Sequence, residues 1–126
     1  MDMGDLDIFQ FEKLVAWQKA KELTRCVYQL IAAFPQHEQY ALSSQIRRAV
    51  ISIPSNIAEG SGRTSMKEKI HFLEIAYGSL TETYCQLLIA SELGYLSSDD
   101  LIAVKPMFQE TSRLISGLRN RFHSNL

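Results

Sequence analysis

Glycine and proline are scarce, with six and three among 126 residues. A sandwich or barrel of many short strands needs far more tight turns than that, so all-β architectures are excluded. Neither sign of charge is in excess: 13 Lys and Arg stand against 14 Asp and Glu, a formal net charge of −1. That excludes a globally basic nucleic-acid binder and leaves only local basic patches open. No run comes near the roughly eighteen uninterrupted apolar residues of a membrane span. The opening Met1 to Asp7 is acidic and lacks the basic-then-apolar order of a secretory signal, so the expected compartment is the cytoplasm. The two cysteines, Cys26 and Cys85, lie 59 positions apart, each inside a helical pattern. A disulfide and half of a metal site are open readings, and buried free thiols fit a cytoplasmic chain best.

What remains is a folded, helix-rich chain. Hydrophobic residues make up 46% and charged residues 21%, and the length suits one domain spanning 1–126, with 1–12 as an acidic, irregular arm. Phe34-Pro35, Glu59-Gly60-Ser61-Gly62 and Leu93-Gly94-Tyr95 punctuate the chain. Between them the spacing predicts helices over 13–34, 40–59, 65–93 and 98–122. Short connections make neighbours antiparallel, which is an all-α, up-and-down four-helix bundle. The inward stripes run Ala16, Ala20, Leu23, Val27, Leu30, Phe34, then Leu42, Ile46, Ala49, Val50, Ile53, Ile57. The third helix offers Leu73, Ala76, Leu80, Tyr84, Leu87 and Ser91; the fourth offers Leu101, Val104, Phe108, Leu114 or Ile115, Leu118 and Phe122. Ser97 with Asp100 reads as a helix start, and Gly94 as a left-handed terminus. Pro54 and Pro106 fall inside helices, where kinks are expected.

Two stripes lie outside the core. Trp17, Thr24, Tyr28 and Ile31 form a second apolar line on the first helix, echoed by Ile51, Pro54 and Ala58 on the second. A lone bundle has no fourth face for them, so a subunit interface is expected, against a wide core as the bland alternative. The second helix also carries a polar line, Gln45, Arg48, Ser52, Asn56 and Glu59, answered on the third by Gly78-Ser79 and Glu82. If residues 76–82 lie opposite 42–48, Arg48 pairs with Glu82 across the hairpin, with Gln45 and Ser79 beside them. Gly78, in mid-helix, implies a close backbone approach.

No constellation of catalytic groups emerges. His37, His71 and His123 have no His or Cys partner at helical spacing, so neither a metal nor any other cofactor is expected. His71 beside Glu74 reads as a surface pair. Gly60-Ser61-Gly62-Arg63-Thr64-Ser65 lacks the strand and the Lys-Ser/Thr ending of a phosphate loop and reads as a helix–helix connection. Basic residues gather at Arg63, Lys67 and Lys69, with Arg47 further up the helix, and at Arg113, Arg119 and Arg121 near the end of the fourth helix. These are the candidate nucleic-acid or anion contacts. No aromatic residues interleave with them in sequence, so base stacking is not expected.

The run Tyr40 to Ala49, followed by Ser52-Ile53-Pro54-Ser55-Asn56-Ile57-Ala58-Glu59-Gly60, resembles the signature of the bacterial 23S rRNA intervening-sequence proteins, also called four-helix bundle proteins. Trp17 to Ala20, Phe34-Pro35 with Glu38, Arg63, Phe72-Leu73, Ala76 to Ser79, Glu82 and Leu93 to Leu96 extend the likeness over residues 11–96. The resemblance implies a four-helix bundle assembling as a ring-like homopentamer. It is similar in fold to the accessory variability determinants of diversity-generating retroelements, which are basic pentamers binding nucleic acid and a reverse transcriptase. This chain departs from them in being slightly acidic, and it has Ala41 where the family commonly has Gly. The expected role is therefore a non-enzymatic, homo-oligomeric accessory protein acting on RNA, DNA or a ribonucleoprotein. The alternative is a protein-interaction scaffold without nucleic-acid contact.

Overall fold

The computed structural model describes residues 8–126, and its helices are α1 Val15–Ile31, α2 Leu42–Ser61, α3 Met66–Glu92 and α4 Ser98–His123. Single 3-10 turns at Gln10–Lys13 and Gln36–Glu38 precede α1 and α2. Each helix packs on the next and α1 closes on α4, which makes the four the sides of an antiparallel bundle. The all-α architecture expected from periodicity is present, with each helix end within three residues of its expected place. Ser97 accepts the Asp100 N–H at 3.1 Å and Ser65 accepts that of Glu68 at 3.0 Å, so both α4 and α3 start on a serine cap. Gly94, at φ +81°, closes α3: Tyr95 N–H reaches Ala90 O at 2.9 Å and Gly94 N–H reaches Ser91 O at 3.0 Å.

The core follows the expected stripes with two corrections. On α1 the inward line ends on Ile31, 5% exposed, while Leu30 is only half-buried. Ile31 is thereby removed from any subunit interface. On α3 the polar Ser79, Thr83 and Gln86 are buried, while Tyr84 and Ser91 are half-buried. Thr83 and, on α4, Thr111 donate their hydroxyls at 2.8 Å to the carbonyls of Ser79 and Met107, which lets them occupy apolar surroundings. Cys26 and Cys85 are free thiols, as expected, but not buried ones: the first is half-exposed and the second exposed.

Close approach falls at a different glycine from the one expected. A Cβ on Gly78 would meet nothing within 4 Å, and the residue is exposed. At Gly60, by contrast, a Cβ would lie 2.8 Å from Phe72 Cβ and 3.4 Å from Lys69 O. Here α2 runs into the α2–α3 connection, and Phe72 cannot retreat because its Cβ is fixed by the backbone. Gly60→Ala therefore overpacks the hairpin. The overpacking penalty of about 1–3 kcal/mol outweighs the gain of about 1 kcal/mol in helix propensity. Urea denaturation should show Gly60→Ala destabilised and Gly78→Ala in the isolated bundle stabilised.

Both α2 and α4 run through their prolines without interruption. Pro54 offers no N–H to the carbonyl of buried Val50, four residues back. The Thr24 hydroxyl from α1 reaches that oxygen at 3.3 Å while also bonding Ala20 O at 2.8 Å. Thr24 thus lines the groove between the two helices while sharing its one hydroxyl proton between Ala20 O and, as the longer branch, the Val50 oxygen that Pro54 leaves without a donor. Thr24→Val should cost about 1 kcal/mol in thermal or urea unfolding. In a Pro54→Ala background, where the missing N–H returns, the cost should shrink, giving a coupling of about 0.5 kcal/mol or more in a double-mutant cycle.

Candidate functional site

The polar line of α2 does face α3, in a register two helical turns from the one expected for its serine. Ser79 Oγ donates to Ser52 Oγ at 2.8 Å, and Asn56 Nδ2 donates to Ser52 Oγ and O at 2.9 and 2.8 Å. Ser52, not Gln45, is therefore the partner of Ser79. Gln45, Arg48, Ser52, Ser79 and Glu82 line one cleft between the helices. Arg48 and Glu82, both exposed, do not form an ion pair. The expected Arg48–Glu82 bridge does not form although the two share the cleft, and Glu82 Oε1 instead accepts Gln86 Nε2 at 3.2 Å. Gln86 itself was not expected inside: it sits in a helical step that reads as polar surface, and its Oε1 is buried without a partner.

The two basic clusters, fifty residues apart in sequence, converge at one end of the bundle. Lys69 Nζ lies 5.7 Å from the centroid of the Phe122 ring and donates to Ser61 O at 2.9 Å, joining the α2–α3 connection to the last turn of α4. Arg63 lies 4.7 Å over the Phe72 ring and bonds Glu59 Oε1 at 2.8 Å. Lys67 and Arg121 are exposed, Arg119 is half-exposed, and Lys13 adds a cation beside Arg121 that the sequence reading missed. Aromatic rings are thus present at this end, but the cations already cover them. Arg47 and Arg113 do not join the group. Arg47 Nη2 donates to Gln39 O at 2.8 Å at the other end of α2, and Arg113 lies in mid-helix. The opposite end is more acidic: Glu38, Glu92, Asp99 and Asp100 lie there, with Arg47 as the cation that reaches it.

That anionic end is fastened by a latch. Tyr95 O–H donates to Glu38 Oε2 at 2.9 Å, His37 Nε2 lies 3.2 Å from the same hydroxyl, and the Tyr95 ring packs on Phe34 at 5.7 Å. Glu38 Oε1 also accepts the Leu42 N–H at 3.3 Å, so one carboxylate ties the α1–α2 connection, the start of α2 and the α3–α4 connection together. Its bond to Glu38, with the neighbouring negative charge, raises the Tyr95 pKa above the ordinary value of 10.0. A raised tyrosine pKa means that the neutral phenol is the form favoured by folding. The stabilisation is complete below pH 10 and is lost as pH climbs through the raised value. Tyr95→Phe should lower the melting temperature at neutral pH, and its stability should fall less steeply above pH 10 than that of the wild type.

A groove of about 920 Å³ runs between α1 and α2, with Trp17, Tyr28, Ile51, Pro54 and Ala58 along it. Phe11, on the 3-10 turn Gln10–Lys13, lines its mouth, and of the expected irregular arm residues 1–7 lie outside the described part. Glu12 Oε2 accepts the N–H groups of Ile8 and Phe9 at 2.8 and 2.9 Å, which holds its carboxyl below the usual range. Phe11 then meets Trp17 edge-on at 4.9 Å, and Lys21 Nζ lies 5.0 Å from the Trp17 ring. Of the four residues expected at an interface, Trp17, Thr24 and Tyr28 line this groove and Ile31 is buried in the core. Among the described residues no group of three His, Cys, Asp or Glu is placed to hold a metal, and His71 packs on Phe72 with no ion pair to Glu74. None of the described helices is long and apolar enough to cross a membrane.

The architecture is that of a small antiparallel bundle with a polar hairpin seam, one cationic end and one anionic end. The 23S rRNA-intervening sequence protein family model matches residues 12–117, and the chain belongs to that family. The chain is similar to a crystal structure of a protein of unknown function from the S23 ribosomal protein family of Bacteroides thetaiotaomicron. The two share 23% identity with a TM-score of 0.76, covering 84% of this chain and 96% of that one, which shows the shared fold. No curated protein matches the chain at a significant level.

Proposed function

We propose that this chain is a non-enzymatic accessory protein of the cytoplasm that assembles with copies of itself, as the homopentamer its family resemblance implies. In this reading its cationic end lies against the phosphate backbone of RNA or DNA. The observation that carries the reading is the convergence of Lys13, Arg63, Lys67, Lys69, Arg119 and Arg121 at one end, against Glu12, Glu59 and Glu68. A slightly acidic chain thereby presents a local cationic surface, and a ring repeats it once per copy. Because Arg63 and Lys69 already cover Phe72 and Phe122, the surface offers charge to phosphates rather than rings to bases. Binding is then indifferent to sequence and sensitive to salt.

Fluorescence anisotropy with short RNA and DNA oligonucleotides tests this. Affinity should fall steeply as salt rises from about 50 to 200 mM. Lys67→Glu with Arg121→Glu should weaken binding to all sequences alike and reduce the log–log salt slope by about 1 per lost contact. Absence of binding at the lowest salt removes the nucleic-acid reading. The scaffold alternative then stands, favoured by the open α1–α2 groove, and a protein partner retained from nuclease-treated lysate supports it.

A further inference from the structure

The α1–α2 groove has a counterpart on the same molecule. Helix α3 keeps apolar residues on its outer side, where Ile75 is 38% and Ile89 46% exposed. Between them, at helical steps along the same side, lie Gly78 and Glu82, with Glu74 adjacent. Gly78 has no reason in its own bundle: it is mid-helix, exposed and has nothing within 4 Å of a Cβ position, yet glycine there costs about 1 kcal/mol in helix propensity. A glycine flanked by exposed isoleucines is what close approach by another chain requires.

The charges of the two faces are opposite. Lys21 and Arg25 border the groove, and the depression that continues it past Tyr28 and Ile51 adds Arg47 and Arg48; no Asp or Glu lines either. Lys21, Arg25 and Arg48 make no ion pair within the described chain, and neither do Glu74 and Glu82. The lengths agree as well. Ile75 to Ile89 spans about 21 Å of helix and Trp17 to Tyr28 about 16 Å, at 1.5 Å per residue.

We infer that the occupant of the α1–α2 groove is the outer face of α3 from a second copy of this chain. Gly78 would pass close to the groove's apolar floor, and Glu74 and Glu82 would meet Lys21 and Arg25. The two faces are different surfaces on neighbouring sides of the bundle, so the contact is head-to-tail, and successive copies form the proposed ring where the rotation per copy closes. Cyclic closure points every cationic end toward the same rim. This inference rests on the self-association reading above and adds which faces meet.

The test combines light scattering with the emission of Trp17, the chain's only tryptophan. Wild type at micromolar concentration should be oligomeric, with Trp17 emission shifting to the blue as association proceeds. Lys21→Glu with Arg25→Glu, and separately Glu74→Lys with Glu82→Lys, should each weaken association about 100-fold or more while circular dichroism stays helical. One chain carrying all four substitutions should regain association, because each reversed face then meets a reversed counterpart at every contact. Gly78→Leu, whose side chain enters open space in the single bundle, should stay folded and dissociate. A monomeric wild type removes self-association itself. An oligomeric wild type whose charge variants and Gly78→Leu stay oligomeric overturns only this pairing of faces, as does a chain with all four charge substitutions that fails to associate.

Discussion

The close approach of α2 to α3 at Gly60 is the constraint on which the other features depend. With no side chain at that position, Phe72 seats directly on α2, and the four-residue connection from Gly62 to Ser65 needs no slack. Everything further along the hairpin inherits its register from that point. Ser52 meets Ser79, the cleft beside them forms, and Arg48 and Glu82 are carried to its rim without bonding each other. The same seating brings Arg63 over Phe72 and Lys69 over Phe122, so the packing of one glycine also assembles the cationic end.

Helix α2 is shared by every surface of interest. One side buries Ile46, Val50, Ile53 and Ile57; another gives Ser52 and Asn56 to the seam with α3; a third gives Ile51, Pro54 and Ala58 to the groove with α1. A proline in such a helix is tolerable because the orphaned Val50 carbonyl faces Thr24, not apolar side chains. The small and short polar residues of this helix therefore reflect close contact on several sides at once. A solvated flank would carry long charged side chains instead.

Charge is distributed along the axis of the bundle, not merely around it. The latch of Glu38 and Tyr95 holds one carboxylate at one end, where the first turn of α4 adds Asp99 and Asp100 near the positive pole of that helix. At the other end Arg121 and His123 suit the negative pole of α4. The net charge of −1 conceals this separation because the two ends cancel. Function in the proposed sense then depends on whether copies point the same way, as they would in the proposed ring.

The sequence by itself determined the helices, their ends and most of the core, because apolar spacing, Ser65, Ser97 and Gly94 act through contacts a few residues apart. It also marked Ser52, Asn56, Ser79 and the basic residues as unusual. Which of these meet was decided by tertiary structure alone. Arg48 and Glu82 have complementary chemistry and lie across one cleft in the register that joins Ser52 to Ser79, yet their side chains do not pair. The sequence reads Gly60 as part of a connection and Gly78 as the point of close approach, and only the position of Phe72 shows that the first is crowded and the second open in the single bundle. The joining of Lys69 to Phe122 and of Thr24 to Val50 likewise depends on packing between helices distant in sequence, and no periodicity within one helix encodes its neighbour's angular position.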